Sequence, residues 1–398
     1  MRSFPKVYIT PKGEKALRGG HPWVYSDEVT DVEVENGELV DVYSAKNRFL
    51  GTGFYNAHSK IRVRIISRNA NDKFDRAFWG RRIRYALDYR KTVMEDIKCC
   101  RLIFGEADCF PGFTVDRFGD VLVTQVLSLG IEKIKDMLYE LLVETLEEMG
   151  EPVSAIYERS DVKIRELEGM EQYKGFWSGL KELSGVTEII ENGIRYEVDY
   201  INGQKTGFFL DQKYNRMAIR RIAKGRTVLD CFTHTGAFAL NAAEGAKLVN
   251  AVDISEDAIE MTKKNAALNG FMNMQFTVAN VFDLLTDLYK SGNSPYDFII
   301  LDPPAFTKSS GTVKNAIRGY KEINLKAMRL LPRGGYLATC SCSHFMTEPL
   351  FKQMLHDAAK DAEVSLRQIE ARQQSPDHPI LWNVPETDYL KFFIFQVV

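Results

Sequence analysis

No stretch of this chain approaches the roughly 18–20 consecutive apolar residues of a membrane-spanning helix. Its opening residues, MRSFPKVYITPKGEK, contain no apolar core of a secretory signal, so export is not expected. Cysteine is scarce. The six residues at 99, 100, 109, 231, 340 and 342 have no paired zinc-ribbon spacing. That argues against a disulfide scaffold and suits a reducing, cytoplasmic setting. Net charge is nearly absent too, a formal −2 at pH 7, so the field of the whole protein selects no partner. No internal repeat and no low-complexity segment is present. With 398 residues, the chain is too long for one ordinary core, and two or three domains are expected.

Charge is unevenly distributed. From Lys60 to Cys100 there are twelve Lys/Arg against five Asp/Glu, in KIRVRIISR and RAFWGRRIRYALDYRK. A basic stripe interleaved with aromatics suits a phosphate backbone, although a solvated helix face reads the same way.

Residues 1–73 read as a small all-β module, from β-branched and aromatic alternation broken by Gly and Asn. Residues 74–98 have the spacing of a linker helix, with Phe74, Phe78, Ile83, Ala86 and Leu87 on one face. Residues 99–198 suggest an α+β middle domain. It has a hairpin turning at Arg117–Asp120, the amphipathic helix GIEKIKDMLYELLVETLEEM, and strands at AIYERSD and IRYEVDY. From 199 to 398, short apolar runs alternate with helices, the signature of βαβ units and a doubly wound α/β sheet.

In VLDCFTHTGAFAL, 228–240, a strand enters a polar turn and then a helix. Gly236 gives a backbone room to approach a ligand. The dinucleotide pattern G-x-G-x-x-G is missing, since positions 234–239 read His-Thr-Gly-Ala-Phe-Ala. Asp253, about twenty residues on at the end of NAVDIS, can accept hydrogen bonds from ribose hydroxyls. A ribose acid without a phosphate cradle favours S-adenosylmethionine (SAM) over NAD. Asn280 ends a further strand and could meet the adenine edge. FIILDPPAF then places Asp302 on a proline-stiffened loop, with Phe306 available to stack on a flat base.

GGYLATCSCSH ends the neighbouring strand. The C-x-C-x-H run supplies at most three metal donors, and a disulfide between residues i and i+2 is strained. Cys340 is expected to be a small buried residue and Cys342 the nucleophile at the site edge. Methyl transfer to carbon 5 of a pyrimidine gives a thiol a reason to be there. A thiolate adding to C6 makes C5 nucleophilic, and Asp302 could hold the N3 edge. His344 is a candidate base by proximity only.

LDCFTHTGAFAL, AVDIS, LDPPAFTKS and ATCSCSHFM resemble, in order, the motifs of Rossmann-type SAM-dependent RNA methyltransferases. GEKALRGGHPWVYSDEV resembles a PUA domain. GQKTGFFLDQKYNR and SPDHPI…PETDYLK are similar to the RlmI-type family of 23S ribosomal RNA large-subunit methyltransferases. The resemblance covers the whole chain. It implies a PUA-like RNA-binding domain over 1–73, SAM as cofactor, 5-methylcytidine in 23S ribosomal RNA as product, and Cys342 as nucleophile. It implies cofactor contacts at Lys205, Phe208, Asp211, Thr233, Thr235, Gly236, Asp253, Ser255, Asn280 and Asp302. The family commonly carries Asp where this chain has Asn280. Expected RNA contacts are Lys12, Arg18, His21, Trp23, Arg81, Arg82 and Arg84, with Phe306 at the base. A homodimer is a further implication. Methylation of a base nitrogen, with Cys342 structural, and a non-catalytic RNA-binding protein are the competing readings.

Overall fold

The computed structural model describes residues 4–30, 34–292, 294–307 and 309–398. The chain divides into two compact units. The first comprises 1–189, 198–210 and 376–387, and the second 190–197, 211–375 and 388–398.

In the first unit, a five-stranded sheet is built from Lys6–Ile9, Leu39–Ser44, Phe49–Tyr55, Ile61–Ser67 and Trp23–Tyr25, in that spatial order. Val7, Val24, Val40, Val42 and Val63 fill its core. One helix, Pro11–Arg18, lies inside this module, which alternation alone reads as strands. Pro11 opens the helix, where its missing N–H costs nothing, and Thr10 caps it by accepting from the Gly13 N–H at 3.3 Å. The long helix Arg76–Val93 follows, capped by Asp75 through the Phe78 N–H.

A second five-stranded sheet has the order Tyr173–Phe176, Ala155–Ser160, Val121–Val126, Phe113–Phe118, Cys99–Phe104. The expected hairpin turn is present between Phe118 and Val121, with Gly119 at φ 64°. The expected amphipathic helix is broken into Leu129–Glu132 and Lys135–Glu148. Ile194–Asp199, read from sequence as part of the middle domain, pairs with Val186–Glu191 as a separate two-stranded sheet.

The second unit carries a seven-stranded sheet. Its order is Met274–Val278, Leu248–Asp253, Thr227–Cys231, Phe298–Leu301, Tyr336–Ser341, Lys391–Val397, Leu366–Arg372. The first five strands are parallel, Lys391–Val397 runs antiparallel to them, and Leu366–Arg372 runs antiparallel to Lys391–Val397. The edge strand, LRQIEAR, is too polar to stand out by composition. The inner strands are apolar on both faces because helices cover both. Leu229, Ile299, Leu301 and Leu337 pack with helices Val281–Ser291, Val313–Leu330 and Glu348–Asp361. Val228, Phe298, Ile300 and Cys340 pack on the opposite side with Lys213–Ala223 and Ala237–Ala243. No described helix is long and apolar enough to cross a membrane.

Candidate active site

Five parallel strands end on one edge of the sheet, at Cys231, Asp253, Val278, Leu301 and Ser341. Chain order reverses between the strands Thr227–Cys231 and Phe298–Leu301, and in such folds the ligand crevice opens at that point.

The loop after Cys231 is tightly held. Phe232 and His234 both take left-handed backbone, at φ 63° and 53°, and Gly236 does so at 84°. Non-glycine residues persist there only where surroundings over-determine them. Asp253 Oδ2 accepts from the His234 N–H at 2.9 Å, and Asn265 donates to the Thr235 carbonyl at 3.1 Å. Gly236 also has an internal reason to be glycine. A Cβ there would stand 2.5 Å from Leu240 and 2.6 Å from Thr262.

Three carboxylates face this region. Asp253 accepts from two backbone N–H groups, the second being Ser255 at 3.0 Å, and its lone pairs leave capacity for further donors. Ser255 itself caps helix Glu256–Leu268. Asp230 is fully buried. Its Oδ2 accepts from Thr233 Oγ1 at 2.5 Å, while Oδ1 is buried without a partner among the described residues. Burial pushes its pKa up to about 8, against the Thr233 hydrogen bond, with the charges of Asp302 and Asp253 adding to the rise. Thr235 Oγ1 is a second buried orphan in the same loop. Asp230 was not among the expected site residues; its signal was an acid one position before the end of an apolar strand. Asn280 turns out to cap helix Val281–Ser291 through the Phe282 N–H, which occupies its side-chain oxygen and leaves its amide donors.

Asp302 Oδ1 accepts from Cys340 Sγ at 3.0 Å and from Gln212 Nε2 at 3.3 Å. Burial raises its pKa to about 6, the Cys340 hydrogen bond working the other way. Cys340 is buried in the core, as expected, and it has a further partner there. It is the thiol in hydrogen-bond contact with Asp302. Strand alternation explains this. Cys340 lies on the sheet face covered by helix Lys213–Ala223, whose N-cap is Gln212. Burial and then the Asp302 charge hold its thiol well above the ordinary range.

Cys342 lies one residue beyond the strand and is half-buried. Opposite Ser341 in the antiparallel register stands Lys391. This buried lysine donates to the carbonyls of Ser343 at 2.6 Å and Tyr389 at 2.8 Å. Burial lowers its pKa to about 8, opposed by the charges of Asp388 and Cys342. Ser341 donates to the buried Tyr320 hydroxyl at 3.0 Å. Lys391 and Tyr320 are site residues that the sequence did not single out. His344 is partly buried, with Nδ1 lacking a partner among the described residues. Phe306 packs on Tyr320, ring centroids 4.6 Å apart, and stays partly exposed.

Asp211 is buried and accepts from the Tyr389 hydroxyl at 2.7 Å. Lys205 and Phe208 belong to the first unit, where Lys205 lies 4.8 Å from the Phe209 ring and Phe208 is buried. Several expected RNA contacts have internal partners there. Lys12 pairs with Asp27, Arg18 with Glu14, His21 with Glu386, and Arg84 with Glu148. Trp23 donates to Glu106, and Arg82 to the carbonyls of Cys109 and Ile66. Arg81 is exposed.

A cofactor for this crevice must suit three converging carboxylates. A dinucleotide pyrophosphate would meet carboxyl groups there instead of a phosphate cradle. A sulfonium with an ammonium group would be attracted, and the Asp230 and Thr235 orphans offer it acceptors. The residues therefore fit SAM.

Comparison with known proteins agrees. Residues 7–68 match the PUA-like domain model, and residues 101–396 match the model of the S-adenosylmethionine-dependent methyltransferases. A relative from Aliivibrio fischeri (strain MJ11), named ribosomal RNA large subunit methyltransferase I, is 40% identical over 98% of this chain and 99% of its own. A relative of the same name from Pseudoalteromonas translucida is 39% identical with the same coverage. A Streptococcus mutans structure described as a SAM-dependent methyltransferase shares the fold at TM-score 0.83 and 24% identity, covering 99% of this chain and 100% of that one. Another structure, crystallised with SAH, matches at TM-score 0.84 and 23% identity, with the same coverage. This chain belongs to the family of S-adenosylmethionine-dependent methyltransferases and carries a PUA-like domain ahead of the methyltransferase region.

Proposed function

We propose that this enzyme methylates carbon 5 of a cytosine in large-subunit ribosomal RNA, with Cys342 as nucleophile. The name shared by its full-length relatives supports the RNA. The observation that carries the chemistry is the partly exposed Cys342 beside the buried Lys391, one residue before the carbonyl that Lys391 holds. A nearby cation favours the thiolate, the form that reacts. The thiolate adds to C6 and the C5=C6 electron pair moves to C5. C5 then takes the methyl group that the cofactor supplies. A base removes the C5 proton, and the released pair expels the thiolate. Asp302, raised to a pKa of about 6, can in its protonated form donate to N3 and favour the addition. The target base must leave its stack to reach the thiol.

One observation favours a second reading. Cys340, not Cys342, is the thiol bonded to Asp302, so Cys340 is the alternative nucleophile. Incubation with SAM and RNA containing 5-fluorocytidine separates the two, because fluorine blocks the final elimination and leaves the adduct in place. Wild type and Cys340→Ala should form a denaturation-resistant complex, and Cys342→Ala none. The reverse pattern would transfer the role to Cys340. Methylation of a base nitrogen, read by nucleoside mass spectrometry, would overturn both.

A further inference from the structure

Helix Arg76–Val93 carries a groove in the first unit that the methyl-transfer chemistry does not use. Phe78, Arg81, Arg82, Tyr85, Tyr89 and Cys109 are among its lining residues, and the cavity measures about 530 Å³. Arg81, Tyr85 and Tyr89 follow at i, i+4 and i+8, so a cation and two rings run along one stripe of the helix. Tyr85 is 67% exposed and Tyr89 37%, unusual for large aromatic side chains. Tyr89 is held in place by its hydroxyl, which donates to the Pro376 carbonyl at 3.1 Å. The Arg82 guanidinium lies over Phe78, 4.3 Å from the ring centroid.

The groove also contains two carboxylates, but both are committed. Asp108 is bound on both oxygens by Arg90, at 2.6 and 2.7 Å. Asp72 accepts from Ser67 at 2.5 Å and from Asn69 at 3.1 Å. Arg90 neutralises Asp108, and Arg81 and Arg82 outweigh the single charge of Asp72, so the groove keeps a net positive charge. A stacking surface flanked by cations is how proteins hold unpaired nucleotides. Its volume lies in the range of small-molecule sites, enough for a nucleotide. A duplex hides the faces of its bases and could not use the tyrosines.

We propose that this groove binds a single-stranded stretch of the substrate RNA, with a base stacked on Tyr85 and Tyr89 and a phosphate at Arg81. The proposal rests on the ribosomal RNA reading above and adds where an unpaired segment is gripped. The experiment is fluorescence anisotropy of the full-length protein with a labelled single-stranded oligoribonucleotide and with its duplex, alongside calorimetry of SAM binding. Tyr85→Ala should weaken single-strand binding about 5- to 100-fold, the size of one lost stacking contact. Tyr85→Phe should retain it. Arg81→Glu should weaken it and lower the salt dependence by about one counterion. SAM affinity should be unchanged in all three. Equal single-strand affinity in wild type and Tyr85→Ala overturns the groove, as does a wild type that binds duplex only. So does retention of RNA binding with loss of a bound protein partner, which would assign the surface to that partner. Wild-type protein that grips single strands through Tyr85 yet methylates no cytosine would overturn the proposed reaction and leave the groove standing.

Discussion

SAM binding should release a proton, and Asp230 should be its source. Asp230 has a pKa of about 8 before the cofactor binds, so about nine-tenths of the protein carries that proton at pH 7. A cationic cofactor favours the ionised carboxylate over the acid. The bound pKa should fall below 6. Affinity then rises nearly tenfold per pH unit from 6 towards 8, about 50-fold in all, or roughly 2 kcal/mol. The sign also fixes how the stability of the protein alone depends on pH. A raised carboxyl stabilises the fold fully below its unfolded pKa of about 4, and that contribution is lost as pH climbs through 8. Calorimetry in buffers of different ionisation enthalpy counts the protons directly, and about 0.9 should be released at pH 7. Asp230→Asn should abolish the release and flatten the pH dependence. Asp302, with its lower pKa of about 6, can add little above pH 7. Binding without proton release in wild type, or release that survives Asp230→Asn, refutes the reasoning.

Cys342→Ala should bind SAM normally and lose methyl transfer by at least about 100-fold, measured by tritium transfer to ribosomal RNA. Lys391→Met should slow alkylation of Cys342 at neutral pH and raise the apparent pKa of that alkylation, because a nearby cation is lost; an unchanged profile would remove Lys391 from thiol activation. Arg216 makes a bidentate pair with Glu191 at 2.6 and 2.7 Å, both residues buried. Arg216→Met strands the carboxylate and should cost about 3–5 kcal/mol in denaturant unfolding, while Arg216→Met with Glu191→Leu recovers part of it.

Much of this protein was legible in one dimension. Apolar runs ending in Asp253, Asp302 and the C-x-C segment marked the parallel strands and their crevice, because buried strands leave a compositional trace and their functional residues sit at the ends. The strand Leu366–Arg372 left no such trace, being a polar edge. The helix Pro11–Arg18 was signalled by Thr10 and Pro11 but masked by the strands around it. Asn280 and Ser255 read as ligand contacts and proved also to be helix caps, a role their residue types serve equally well.

Local chemistry along the chain determined the fold class and the cofactor type, and it marked the segment that carries two cysteines. Tertiary structure decided what stands next to what. Only folding places Gln212 and Cys340 on Asp302, and Lys391 opposite Ser341, because these partners lie up to 90 residues apart in the chain and meet only when the sheet assembles. The two cysteines of LATCSCSHFM are alike on paper. The strand's alternation and its end at Ser341 make one a buried partner of an acid and the other a half-exposed thiol beside a lysine.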